Sequence, residues 1–541
     1  MTTLVAALAT AAARGQEVVF VHDDDRHQAI AWAELEVAAR RVAAALIRQG
    51  VLPGARVPLV LPTSPGFVTA FFGTMLAGAI PCPMALPMGF AQIEVYAERF
   101  AATLRYLGAT HAIIDELLAP IAMMLPEVAF LGGKTLAAAE DPPVTGDPTS
   151  AEAVAFIQCT SGSTGTPKGV MLSHANLLAN IEQSRRALDA AAGRDTLVSW
   201  LPLYHDMGLI GTLLFPMACG LGSVLMSPLK FQKRPAAWLQ AMSRYRATIT
   251  TAPNFAYAYV TARVKDADLA GVDLSALRHA CCGAEPIDRR TLEGFVARFR
   301  AIGMRDSVPR PCYGLAEASL AVTFRPADAP LVYDRVDTAA LASGDARPGG
   351  ERVTEAVRCG PPVVGTEIAI VDESRQPLPE RRVGRILVRG PSVTKGYYQL
   401  PEETAAVLKD GWLDTGDLGY LTDGELVVTG RAKDLVIVRG QKFAPTDFEW
   451  AAEQTPGVRR GTAVAFNGKD GELVVACEIE TEVEGLRAEL AARVAARTGL
   501  KPDLVALATE RHATPKTSSG KLRRGRTREL VLGGGSPWRT A

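Results

Sequence analysis

Apolar positions near the start of the chain recur first with the period of a helix and then as short strand-like runs. Leu4 and Leu8 lie one helical turn apart in the apolar opening Met1 to Ala13. Its first cationic side chain is Arg14, so it lacks the basic leader of a signal peptide and reads as an amphipathic first helix. From Glu34 to Gln49 apolar residues fall at Leu35, Ala38, Val42 and Leu46, the stripe of a helix that Gly50 ends. Arg56–Leu61 is a strand run, and Ser64-Pro65 opens the next helix with proline in its first turn. This alternation predicts an α/β fold of layered sheets and helices with largely parallel strands. Strand runs at Leu435–Val438 and Leu473–Ile479, with a helix at Glu484–Arg497, predict a smaller α+β unit near the C-terminus.

Breaks in the pattern mark the boundaries. The longest uncharged stretch, Val57 to Ile93, is interrupted by prolines at 58, 62, 65, 81, 83 and 87. Its longest proline-free piece, Gly66 to Ile80, is shorter than the ~18 apolar residues that signal a membrane span, and reads as a buried core helix. A Pro/Asp-rich linker at 140–149 separates two subdomains. A Pro/Asp/Gly-rich stretch, about 325–358, interrupts the pattern again, and Gly533-Gly534-Gly535-Ser536-Pro537 predicts a frayed tail.

Composition narrows the class. The chain has 541 residues, more than one core usually covers. It has 58 acidic and 58 basic residues, so no charge footprint for nucleic acid or an anionic membrane stands out. Its eight cysteines show no metal-ligand spacing; reduced thiols in a cytoplasmic protein fit best.

The most informative stretch is Thr160 to Gly169, which holds three glycines, five hydroxyl side chains and Lys168. The apolar run Val154–Ile157 precedes it, and a helical pattern follows from Ser173. Glycines let backbone N–H groups converge into an anion concavity. The P-loop pattern requires four residues between its first glycine and Gly-Lys; here Pro167 precedes Lys168, so this is a different phosphate-holding loop.

The string TSGSTGTPKGV resembles the phosphate-loop signature of the adenylate-forming superfamily: acyl-CoA synthetases, peptide-synthetase adenylation domains, luciferases and fatty acyl-AMP ligases. Six more signatures follow in the expected order: LPLYHDMGLIG (Leu201–Gly211), CGAEP (Cys282–Pro286), CYGLAEASL (Cys312–Leu320), WLDTGDLGYL (Trp412–Leu421), GRAKDLVIVRG (Gly430–Gly440) and TSSGKLRR (Thr517–Arg524). The 325–358 insertion, YHDMGLIG, YGLAEAS and LVIVRGQKFAPTDFEW are similar to the fatty acyl-AMP ligase branch.

The resemblance implies roles residue by residue. Thr160, Ser161, Gly162, Ser163, Thr164, Gly165, Thr166 and Lys168 would grip the β- and γ-phosphates of ATP. Gly283, Ala284 and Glu285 would border the adenine, and Tyr313 would stack on it within Tyr313-Gly314-Leu315-Ala316. Glu317 would hold Mg²⁺, a hard cation that prefers carboxylate and phosphate oxygen. Ala316 stands where many relatives carry threonine, so one α-phosphate contact must come from elsewhere. Asp417 would accept from the ribose hydroxyls, backed by Arg431. His205 would sit at the mouth of the acyl pocket, with Asp206 capping its loop. Lys521 would be the catalytic lysine of the first half-reaction, bridging substrate carboxylate and α-phosphate.

The implied architecture is an N-terminal domain, 1–432, and a mobile C-terminal domain, 433–541, that turns about Lys433. The implied activity is ATP-dependent conversion of a medium- or long-chain fatty acid to acyl-AMP. Transfer to the phosphopantetheine thiol of an acyl carrier protein follows. Nucleic acid and stable membrane insertion are not expected. Two enzymatic rivals remain open: an acyl-CoA ligase using free CoA, and an amino-acid adenylation enzyme. A third is a non-catalytic nucleotide-binding protein, against which Lys168, Glu317, Asp417 and Lys521 argue together.

Overall fold

The computed structural model describes residues 2–87, 93–138, 141–160, 168–517, 520–534 and 537–540. An eight-stranded sheet forms the centre of the larger part. In spatial order its strands are Ala321–Phe324, Pro309–Gly314, His279–Cys282, Ile249–Ala252, Thr196–Ser199, Gly222–Met226, Glu17–Val21 and His27–Ala31. The six inner strands run parallel, and each edge strand is antiparallel to its neighbour. A second, wholly parallel sheet holds Ile80–Pro83, Arg56–Val60, His111–Ile114 and Ala129–Gly132. Parallel strands covered on both faces read as apolar runs rather than alternations, as Val57–Val60 does; Ile249–Ala252 is buried throughout although two of its four residues are threonines.

The sequence-derived helices are present. Leu4–Ala13 buries Leu4 and Leu8; its N-cap Thr3 accepts from the Ala6 amide and donates to Asp147 at 2.7 Å. Trp32–Arg48 buries Leu35, Val42 and Leu46. Pro65–Leu76 starts from the Ser64 cap and is buried almost all round, as a core helix without charges must be. Among the described residues no helix is long and apolar enough to cross a membrane.

An antiparallel sheet of five strands follows, built on Glu367–Val371, Gly384–Arg389, Trp412–Thr422 and Glu425–Arg431. From Val436 onward the chain builds cores of its own. Val464–Asn467, Leu473–Glu478 and Leu504–Ala508 form a three-stranded sheet, flanked by the helices Pro445–Ala452, Leu486–Thr498 and Arg524–Leu532. The expected frayed tail is different from what is found at 537–540. Trp538 is buried beside Val464 and Val531, and the Leu507 and Arg539 backbones exchange two hydrogen bonds. A large aromatic surface outweighed the glycines.

The 325–358 segment folds as an antiparallel hairpin, Tyr333–Asp337 with Val353–Val357, carrying the short helix Thr338–Ala342. Val336 and Ala346 pack on Tyr420 and Val427 of the five-stranded sheet. Asp334 accepts from Arg358 at 2.7 Å and from the Tyr420 hydroxyl at 3.1 Å. Arg289 of the larger part pairs with Glu355 at 3.0 Å. On the other side Ala342 joins the C-terminal core around Val436, Phe443 and Phe448. The segment therefore touches both parts of the molecule.

Candidate active site

Four adjacent parallel strands end at the same place, the carboxyl edge where α/β sheets present their ligand loops. Thr196–Ser199 leads to His205, Ile249–Ala252 to Phe255, His279–Cys282 to Gly283–Glu285, and Pro309–Gly314 to Glu317. The last loop is strained. Ser319 sits at φ 65°, ψ −65°, buried, with its hydroxyl donating to Ser392 O at 2.8 Å. The Leu320 amide donates back to Ala318 O at 2.8 Å, a tight γ-turn. A Cβ at Gly314 would lie 1.9 Å from Leu320 O, so only glycine lets the loop fold back here. Strain of this kind persists where the surroundings over-determine it.

Asp417 and Arg431 face each other in register on neighbouring strands. Asp417 is 6% exposed; it accepts from the Tyr313 hydroxyl at 2.7 Å and from Arg431 Nε at 3.1 Å. Burial raises its pKa, with Arg431 and Tyr313 acting the other way. Each carboxylate oxygen keeps lone-pair capacity for a hydroxyl pair. The Tyr313 ring is thereby fixed beside the carboxylate rather than left free to turn.

His205 caps the short helix Asp206–Gly208, and its Nδ1 lies 2.6 Å from Asp206 Oδ1. Asp206 also accepts from the Met207 amide at 2.7 Å. Burial would raise its pKa, but His205 and Lys521 prevail and hold it at about 2. Asp206 thus fixes its loop and its histidine. Glu285 accepts from the Phe255 amide at 2.5 Å, and burial raises its pKa against the nearby charge of Lys521. Ala284 is left-handed, at φ 67°.

Lys521 reaches this edge from the C-terminal part. Its amide donates to Thr517 Oγ1 at 3.1 Å and its carbonyl accepts from the Thr517 amide at 2.8 Å, closing a turn. A Cβ on Gly520 would stand 3.3 Å from the Phe255 ring. The charge of Lys521 acts on Asp206, Glu285 and Asp417 together. Lys433 lies in the Ala432–Asp434 turn directly after Arg431, and burial followed by Arg431 lowers its pKa. Asp434 pairs with Arg524 at 3.7 Å, and Arg524 is gripped by Glu449 through two 2.7 Å bonds.

Ser161, Gly162, Ser163, Thr164, Gly165 and Thr166 lie outside the described residues. The hairpin that carries them, Val154–Thr160 with Lys168–Ser173, is described, with Thr160 opposite Lys168. Thr160 donates to Lys168 O at 3.3 Å. Lys168 Nζ stands 4.9 Å over the Tyr397 ring, and the Tyr397 hydroxyl donates to Glu317 Oε1 at 2.9 Å. Sequence reading passed over Tyr397. Its position in Lys395-Gly396-Tyr397-Tyr398 carries no periodic or spacing signal, and only the tertiary contacts reveal it.

Among the described residues no three His, Cys, Asp or Glu side chains form a metal cage. Glu317, tied to Lys168 through Tyr397, is a lone carboxylate and would suit Mg²⁺, which keeps several waters and shares phosphate oxygens rather than taking an all-protein shell. All eight cysteines are free thiols.

The model of the AMP-binding enzyme family matches residues 8–398. A putative acyl-CoA synthetase of Caulobacter vibrioides is 36% identical over 533 residues, covering 94% of this chain and 91% of the relative. A long-chain-fatty-acid–AMP ligase, FadD26 of Mycobacterium marinum, is 34% identical over 537 residues, covering 92% and 90%. Among solved structures, a fatty acyl-adenylate ligase from a study of the Escherichia coli and Legionella pneumophila proteins superposes with a TM-score of 0.93 at 35% identity, covering 98% of each chain. With most of its length matched in sequence and fold, and with the strand-end loops arranged as described, this chain belongs to the AMP-binding enzyme family.

Proposed function

We propose that the protein is a fatty acyl-AMP ligase that passes its acyl group to the thiol of an acyl carrier protein. The observation that carries the reading is the convergence of Lys521, Asp417 with Tyr313 and Arg431, and Glu317 with Lys168 on one sheet edge. A mobile C-terminal unit from 433, turning about Lys433, fits the cores built there, into which Ala342 reaches from the 325–358 segment. The similarity to proteins named fatty-acid–AMP ligases supports the acyl substrate.

In this reading Asp417 accepts from the ribose hydroxyls while Tyr313 and Arg431 hold it. Thr160, the 161–166 loop and Lys168 hold the β- and γ-phosphates. Gly283, Ala284 and Glu285 border the base. Lys521 places fixed positive charge between the fatty carboxylate and the α-phosphorus, where negative charge builds during attack. Attack releases pyrophosphate and leaves acyl-AMP. Glu317 would hold Mg²⁺, which neutralises phosphate charge when bound. Withdrawal of Lys521 with the C-terminal unit then admits the thiol, which attacks the acyl carbonyl and expels AMP.

The relative named as a putative acyl-CoA synthetase keeps free CoA in view as an alternative acceptor. A panel of fatty acids with ATP, supplied with CoA or with holo-carrier protein, decides. Thioester on the carrier with little acyl-CoA is expected. Efficient acyl-CoA formation overturns the carrier assignment, and amine-dependent pyrophosphate exchange overturns the fatty acid.

A further inference from the structure

The segment Ser392–Tyr398 connects the strand that carries Lys168 with the turn that carries Glu317. On one side it follows the strand Lys168–Ser173: the Met171 amide donates to Gly396 O at 3.0 Å, and the Tyr398 amide to Gly169 O at 2.8 Å. On the other it fixes the Glu317 turn: the Thr394 amide donates to Glu317 O at 2.8 Å, and Ser392 O accepts from Ser319. The segment is itself locked. Gly396 adopts φ 130°, where a Cβ would lie 2.3 Å from Thr404, and the Tyr397 amide donates to Thr404 Oγ1 at 2.9 Å.

Tyr397 stands at the centre of this tie, 8% exposed. Its hydroxyl occupies Oε1 of Glu317, while among the described residues nothing hydrogen-bonds Oε2. Its ring lies under the Lys168 ammonium. A lysine is a point charge on a flexible four-carbon stem, and an aromatic face restricts where that charge rests. A donor on one carboxylate oxygen fixes the carboxylate plane and leaves the other oxygen for a cation.

We propose that Tyr397 is a positioning residue that holds Lys168 and Glu317 in register, its ring seating the lysine and its hydroxyl aiming the carboxylate. The proposal rests on the reading of Lys168 as a phosphate group's partner and Glu317 as a cation's ligand. It adds a residue that would act through Lys168 and Glu317.

Two variants separate the two halves of the role. Tyr397→Phe keeps the ring and removes the donor; Tyr397→Leu removes both. Binding of α,β-methylene-ATP is followed by calorimetry over a series of Mn²⁺ concentrations, with Glu317→Gln in parallel. For Tyr397→Phe the Mn²⁺ midpoint should rise roughly ten-fold, as for loss of a ligand's hydrogen-bonding partner. Nucleotide affinity at saturating Mn²⁺ should change by less than about two-fold, because the lysine keeps its ring. Tyr397→Leu should in addition weaken nucleotide at saturating Mn²⁺, by roughly five-fold. If Glu317→Gln moves the midpoint and Tyr397→Phe does not, the positioning role is overturned and the reading of Glu317 stands. If neither moves it, the cation reading of Glu317 fails and the proposal with it. Equal effects of Phe and Leu at every Mn²⁺ concentration overturn the ring's role. If Tyr397→Leu fails to fold, the Phe variant alone decides, on whether its midpoint moves.

Discussion

At the scale of single residues, the proposed function divides the site into groups that would move and groups that would stay fixed. Lys521 sits on a turn carried by the C-terminal part, and its charge is shared among three carboxylates that belong to the larger part. Lys521→Ala should lower acyl-adenylate formation by about 10²-fold or more, the scale for losing one preorganised charge at the reacting centre. Transfer from supplied acyl-AMP to carrier protein should be spared. Pyrophosphate release measured against thioester formation from acyl-AMP checks both halves, and normal pyrophosphate release rejects the role. Asp417 is the opposite kind of residue, buried and held from two sides. Asp417→Ala should weaken ATP binding by roughly 1.5–3 kcal/mol, the range for a hydrogen bond to a charged group. It also leaves the buried Tyr313 hydroxyl without its partner. Unchanged ATP affinity in calorimetry contradicts the assignment.

Among the elements, the helix Pro445–Ala452 shows how the C-terminal unit holds its shape. Glu453, at its C-cap, accepts from the Thr462 and Ala463 amides at 3.0 and 3.2 Å and so joins the helix to the strand Val464–Asn467. Burial, only partly offset by those amides, raises its pKa to about 7. An unfolded glutamate ionises near ~4.3. The unfolded chain therefore gives up this proton first as pH rises. Stability is greatest below the unfolded value, falls between there and about pH 7, and carries the full penalty above it. Glu453→Gln keeps an acceptor oxygen for the two amides and removes the charge. It should leave the melting temperature nearly unchanged at pH 4 and raise it at pH 8. An equal shift at both values rejects burial of the charge as the cause.

At the scale of the whole molecule the 325–358 segment is the feature with consequences. It packs on Tyr420 and Val427 through its hairpin and reaches the C-terminal core through Ala342. A Cβ on Gly499 would lie 3.0 Å from Arg352, which marks a second contact. Under the proposed function such a bridge resists rotation of the C-terminal unit, and free CoA then becomes a poor acceptor. The register offers a clean test. Asp337 pairs with Val353, so Asn-Gly can close the hairpin in place of 338–352 and remove Ala342 and Arg352 together. Adenylate formation should be retained and acyl-CoA production should rise. A shortened protein that adenylates normally and makes no more acyl-CoA than its parent counts against the restraint.

Much of this was legible in the chain because it is local. The stripe Leu35, Val42, Leu46, the Ser64-Pro65 helix start and the apolar strand runs follow from backbone periods that neighbours along the sequence determine. The glycine-hydroxyl loop and the ordered signatures pointed to the chemistry because backbone convergence and charge have to be encoded residue by residue. What the tertiary structure decided is where distant segments meet. Asp417 faces Arg431 and receives the Tyr313 hydroxyl only because two strands pair and a third loop arrives beside them. The tail packs through Trp538 although its glycines suggested fraying, because burial of one indole depends on partners such as Val464 that are distant in sequence. Tyr397 joins Lys168 to Glu317 across two long separations in sequence, and no period or spacing along a chain records a contact of that kind.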